Sequence, residues 1–200
     1  MRFLLIAMVL AVSHLSHAQK GFEPGFLLTT NLDTVRGLLR FSGKTEIPSS
    51  CQFKSDATST PREVMPGTVY GFCTDKGAYY FSRSVGKGAD VFLEVLVRGH
   101  LNLFKFGNIY YAEKTDSAFF ELSDEMDVIV SEGQPQKKKS RNYNRMLALI
   151  MSDCPDASKK ASTITLKEKP LVSLIATYNT CKGSPSTYYR VKKSKRNKRR

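Results

Sequence analysis

Val91–Ala112, VFLEVLVRGHLNLFKFGNIYYA, is the stretch on which the fold turns. Its residues alternate. Val91, Leu93, Val95 and Val97 point to one side of a strand, and Phe92, Glu94, Leu96 and Arg98 to the other. Past Arg98-Gly99-His100 the alternation resumes, with Asn102, Phe104 and Phe106 against Leu101, Leu103 and Lys105. A third strand begins at Asn108. Gly99 is expected to supply the positive φ of a tight hairpin turn. With Gly99-His100 as a two-residue loop, Glu94 lies opposite Lys105 and Val95 opposite Phe104, both favourable cross-strand pairs. An Arg98-Gly99 loop shifts the pairing by two and leaves the faces unchanged. One face is apolar and reads as core. The other carries Phe92, Leu96, Leu101 and Leu103 beside three charges. That is too apolar for open water, so a later element is expected to cover it.

The covering element is legible further on. Tyr143, Met146, Leu147, Ile150 and Cys154 keep helical spacing, and Pro155 is expected to end that helix. Leu171, Leu174, Ile175 and Tyr178 repeat the spacing, with Pro170 tolerable in a first turn and Gly183 and Pro185 beyond the end. Two short amphipathic helices do not stand alone in water. They are expected to lie across the mixed face of the hairpin.

Upstream, the chain reads as hairpins. Phe26–Thr30 and Thr34–Phe41 flank Asn31-Leu32-Asp33, Cys51–Lys54 is a short strand, and Val69–Thr74 and Ala78–Val85 flank Asp75-Lys76-Gly77. Asn108–Ala112 and Ser117–Leu122 make a third hairpin. Short connections favour neighbours in sequence as neighbours in space. The expectation is an α+β fold: an antiparallel, curved or barrel-like β-meander followed by two short amphipathic helices packed on it. Its divisions are a leader over 1–18, a β-rich body over 19–122, a charged linker over 123–139, a two-helix cap over 140–183 and a basic disordered tail over 184–200.

The leader has Arg2, an apolar run Phe3–Val12 and Ser16-His17-Ala18 as a small-x-small cleavage site. The run is too short to span a bilayer as a helix. No later stretch reads as a transmembrane segment, and the first cysteine, Cys51, lies far from the cleavage site, which argues against a lipid anchor. The protein is therefore expected to be exported: periplasmic, outer-membrane-associated or extracellular. Cleavage removes His14 and His17 and leaves His100 at the hairpin turn, where solvent exposure is expected. That disfavours Ser-His-Asp and Cys-His catalysis and a histidine-rich zinc site.

Export permits disulfides. Cys154 and Cys181 sit at the C-terminal ends of the two helices, so a bond between them would pin those ends together. Cys51 and Cys73 lie in separate strands and either pair or stay buried as thiols. No C-x-x-C spacing suggests a metal.

Other motifs carry little. Gly86-Lys87-Gly88 lacks the strand–loop–helix setting of a phosphate loop. Asp124, Glu125 and Asp127 lack calcium-loop spacing and read as a solvated acidic link that locally neutralises Lys137-Lys138-Lys139. No pair of acids is singled out for glycoside hydrolysis, and no catalytic, cofactor or metal residue is assigned. The sharper signal is the end of the chain. Arg190, Lys192, Lys193, Lys195, Arg196, Lys198, Arg199 and Arg200 follow one another with no acid among them, in a chain of net charge +13. Such a tail suits anionic lipid, lipopolysaccharide or cell-wall polymer by charge alone, or simply keeps the protein in solution.

In order along the chain, GFLLTTNLDTVRGLLRF, VYGF, FLEVLVRGHLNLFKF, SDCP and YNTC resemble a poorly characterised class of exported proteins from Bacteroidota-type bacteria. In that class the module sometimes precedes an outer-membrane β-barrel; here a basic tail follows. The resemblance implies no activity. The reading is an exported, non-enzymatic envelope module with a binding or structural role. The alternatives are an envelope hydrolase acting through a carboxylate pair and a polyanion- or nucleic-acid-binding protein led by the tail.

Overall fold

The computed structural model describes residues 21–41, 48–86, 88–114, 119–123, 126–131, 134–139 and 142–189, with 126–131 and 134–139 as main chain only. The leader over 1–18 and the eight tail cations lie outside the described residues.

Ten strands run β1 Glu23–Leu28, β2 Thr34–Phe41, β3 Cys51–Lys54, β4 Arg62–Val64, β5 Gly71–Thr74, β6 Tyr79–Ser84, β7 Asp90–Arg98, β8 Leu101–Phe106, β9 Ile109–Lys114 and β10 Phe119–Leu122. They pair in the order β10-β9-β8-β7-β6-β5-β1-β2-β3-β4, and a late strand, β13 Thr187–Tyr188, adds to β7 to make eleven. The sheet is antiparallel. The α+β expectation holds, as an open sheet followed by helices. Sequence order is broken once, where β1 lies between β2 and β5. Within 123–139, read above as a linker, β11 Met126–Ser131 and β12 Gln134–Lys139 form a separate two-stranded sheet.

The chain divides into two compact units, one over Met1–Lys76 with Phe81–Phe92, the other over Gly77–Tyr80 with Leu93–Arg200. In the first, Leu27, Leu39, Phe53, Phe72 and Phe92 are buried. Phe72 packs edge-on against Phe92 at 5.0 Å. Gly37 is required by close approach, because a Cβ there would stand 2.5 Å from the Phe53 ring and 2.2 Å from the Lys54 carbonyl. At the β1–β2 tip Leu32 takes a left-handed φ of 68°, held by its own N–H on the Thr29 carbonyl.

In the second unit the expected register appears, with Glu94 opposite Lys105 and Val95 opposite Phe104. The pairing then slips, so that Val97 faces Leu103. This β-bulge adds one residue to β7 and breaks the alternation. Val97 was expected on the face away from Leu96; instead both join the core beneath the helices.

Three helices follow, not two: α1 Asn142–Ile150, α2 Pro155–Ala161 and α3 Glu168–Cys181. Pro155 does not merely end a helix. It occupies the first turn of α2, where its missing N–H costs nothing, and Cys154 is the N-cap rather than part of α1. As expected, the helices cover the mixed face. Leu147, Met151, Leu171, Leu174, Ile175 and Tyr178 bury against Leu96, Leu101, Leu103 and Ala112. Asn144, fully inside, donates its amide to the carbonyls of Ala161 and Ile164 at 2.7 and 2.9 Å, tying α1 to the end of α2. No helix among the described residues is long and apolar enough to cross a membrane.

Candidate functional site

The RGHLN part of FLEVLVRGHLNLFKF meets SDCP and YNTC at one place in the second unit. The meeting point is the β7–β8 turn. Asn179, fully buried in α3, accepts from the Leu101 N–H at 2.7 Å and donates to the Leu101 carbonyl at 3.0 Å. Its side chain thus does for Leu101 what a neighbouring strand would do. A second amide hydrogen reaches the Ser186 hydroxyl at 3.0 Å, just before β13.

Gly99 has no positive φ. The expectation that the turn needs a left-handed glycine is therefore overturned. Glycine is required because a Cβ would stand 2.3 Å from the Asn179 amide nitrogen. Asn102 completes the turn by accepting from the Gly99 N–H at 3.1 Å.

Beside it, Tyr178 donates its hydroxyl to Asp153 at 2.9 Å. Asp153 also meets Lys114 at 3.2 Å and Lys182 at 3.0 Å. Burial raises the Asp153 pKa, but the hydrogen bonds from Lys182, Tyr178 and Lys114 outweigh it and bring the carboxyl down to about 2. The Tyr178 phenol is pushed up, first by burial. The Lys114 ammonium caps the Tyr178 ring at 5.6 Å. His100 was expected in solvent; it is half-buried, with its ring 5.9 Å from that of Tyr178.

The staple is present. Cys154 and Cys181 are bonded with Cα atoms 6.4 Å apart. It joins the N-cap of α2 to the last residue of α3, which differs from the expected joining of two C-terminal ends. Cys51 and Cys73 are buried free thiols. Burial pushes the Cys51 thiol up to about 12, and burial with the Asp75 charge raises that of Cys73.

A second polar group lies at the other end of the covered face. Lys105 pairs with Glu168 at 3.0 Å, and its strand partner is Glu94. Burial raises the Glu94 pKa, Lys105 lowers it, and the nearby Glu168 charge raises it again. Glu168 also lines an open cleft of about 340 Å³ with Leu96, Val172, Tyr188 and Tyr189. Thus Lys105 and Lys114 flank the apolar strip, each tied to a helix or helix cap. Sequence reading missed both pairs, because spacing along a strand does not reveal which later helix supplies the acid.

No family model matches this chain, and comparison with curated proteins and with solved structures finds no similar protein.

Proposed function

We propose that the protein is an exported, non-enzymatic module of the cell envelope, with a folded body that binds or builds and a basic tail that holds it to anionic surfaces. The observation that carries this is the distribution of charge. Eight of the thirteen net positive charges lie in residues 190–200. In the second unit, Glu168 is engaged by Lys105 of β8, and Asp153 by Lys114 of β9 and by Lys182 at the end of α3. A disulfide joining two helix ends supports an oxidising compartment. The leader and the resemblance to exported Bacteroidota-type proteins support the same compartment. Anionic lipid, lipopolysaccharide and cell-wall polymer are the partners such a tail suits.

The test is co-sedimentation with phosphatidylglycerol vesicles, comparing the full chain with one whose eight tail cations are replaced by glutamine. Truncation is best placed after Tyr189, because an earlier cut removes the β13 pairing with β7 and the Ser186 contact to Asn179. Binding should fall with the tail charges and with added salt. Unchanged binding removes the tail from the account.

One observation favours a second reading, a carbohydrate-directed hydrolase. Glu168 opens on a cleft with an apolar and aromatic lining, and its charge adds to the burial that raises the Glu94 pKa. Paired carboxylates in a cleft are what glycoside hydrolysis needs. Turnover of an envelope polysaccharide abolished by Glu168→Gln and by Glu94→Gln would establish it.

A further inference from the structure

The first unit holds two cations that converge on one ring. β2 and β3 pair Arg40 with Gln52 and Leu38 with Lys54, so Arg40 and Lys54 are diagonal neighbours on one face of the sheet. Gly21-Phe22 crosses them. A Cβ at Gly21 would touch the Arg40 side chain at 3.4 Å. The Phe22 ring centroid lies 4.7 Å from the Arg40 guanidinium carbon and 5.2 Å from the Lys54 ammonium. The two charges are therefore no more than about 10 Å apart, around one screening length at ordinary salt.

Two other basic residues of this unit find acids: Arg36 meets Asp75 and Lys76 meets Glu23. Arg40 and Lys54 are satisfied only by neutral acceptors. Arg40 donates Nε and Nη2 to the Gln52 side-chain oxygen, and Lys54 donates Nζ to the Ala57 carbonyl at 3.1 Å. Among the described residues neither has a carboxylate within ion-pair distance. Yet Lys54 is only 6% exposed. A lysine that far from water normally has a counter-charge, and a ring face with one carbonyl offsets only part of its lost hydration.

We propose that Arg40, Lys54 and Phe22 form a binding site for a phosphate group, free or carried on a lipid headgroup. Arg40 keeps its Nη1 hydrogens and Lys54 keeps two ammonium hydrogens. These donors come from two strands and suit a tetrahedral oxyanion better than a planar carboxylate. The border of the site is apolar, with Phe26 and Leu38 half-buried on the same face and Arg36 stacked over Phe26 at 5.6 Å. The site belongs to the folded body and owes nothing to the basic tail, so it goes beyond the function proposed above.

The experiment titrates inorganic phosphate into the full-length protein at low salt, following amide shifts and heat. The wild type and the chain with eight neutralised tail cations should bind alike. Arg40→Gln and Lys54→Met should each weaken binding about tenfold. Arg40 is exposed, so its variant should keep the wild-type melting temperature and report the site without a folding defect. A second arm uses phosphatidylglycerol and phosphatidylcholine vesicles with the tail-neutralised chain. Arg40-dependent binding to the anionic vesicles assigns the site to a headgroup; phosphate binding without vesicle binding assigns it to a soluble phosphate. Wild-type phosphate affinity in Arg40→Gln, or loss of all phosphate binding on neutralising the tail, overturns the proposal. Failure of the tail reading shows separately, as vesicle binding indifferent to the tail charges.

Discussion

Asn179→Ala and Gly99→Ala test the turn in a way that separates contact from backbone conformation. Asn179→Ala strips both polar groups of Leu101 of their partner in a fully buried position. Each buried group left unsatisfied costs ~1–3 kcal/mol, and the lost pair is expected to cost ~3 kcal/mol. Gly99→Ala keeps an allowed φ but drives a methyl to 2.3 Å from the Asn179 amide. Overpacking of that kind costs ~2 kcal/mol. If the two effects were independent, the double variant would lose ~5 kcal/mol. Here the clash exists only while Asn179 is present. The double variant should therefore lose only ~3 kcal/mol, with a coupling of ~2 kcal/mol in a double-mutant cycle. Hydrogen exchange at the Leu101 amide, read with urea unfolding, measures both the local and the global loss. Additive losses, or an unchanged Leu101 protection factor in Asn179→Ala, refute the reasoning.

Replacing both Cys154 and Cys181 by serine opens a loop with a sequence separation of 27 and should cost ~3.5 kcal/mol in the chain-entropy picture; unchanged denaturation midpoints would contradict it. Asp153 has its pKa lowered to about 2, so its stabilising effect is complete above the unfolded value near ~4 and is lost as pH falls toward 2. Asp153→Asn should flatten that acid limb of the melting-temperature profile. Glu94 has a raised pKa, so the folded state holds its proton more tightly than the unfolded chain, and stability falls as pH rises through the folded value. Glu94→Gln should therefore match or exceed the wild-type melting temperature at pH 7, and a clear drop there would show that its charge stabilises the fold. Cys51 and Cys73, buried and with raised thiol pKa values, should resist alkylation by iodoacetamide at pH 8 until denaturant is added; labelling of the native protein would refute their burial.

Much of this fold is legible in the residue pattern. Alternation along Val91–Phe106 defined β7 and β8 and their faces, because side chains on a strand must repeat every second residue, and left two registers, of which the fold takes the one that pairs Glu94 with Lys105. Helical spacing over Leu171–Tyr178 found α3 and its buried side, and the half-apolar face of the hairpin announced that helices would cover it. Cysteine spacing made Cys154–Cys181 a candidate bond, though not its placement at the N-cap of α2. The rest depends on packing between segments far apart in the chain. The bulge that turns Val97 to the helix-covered face depends on what packs above it, since local alternation holds no record of a helix eighty residues later. Gly99 looks in sequence like a residue chosen for its φ; it is glycine because Asn179 arrives from α3 to complete Leu101. The lysines at the two ends of the covered strip find Glu168 and Asp153, and Arg40 and Lys54 find the same Phe22 ring. Such pairings are set by how strands register and where helices land, and those are properties of the folded chain rather than of any stretch within it.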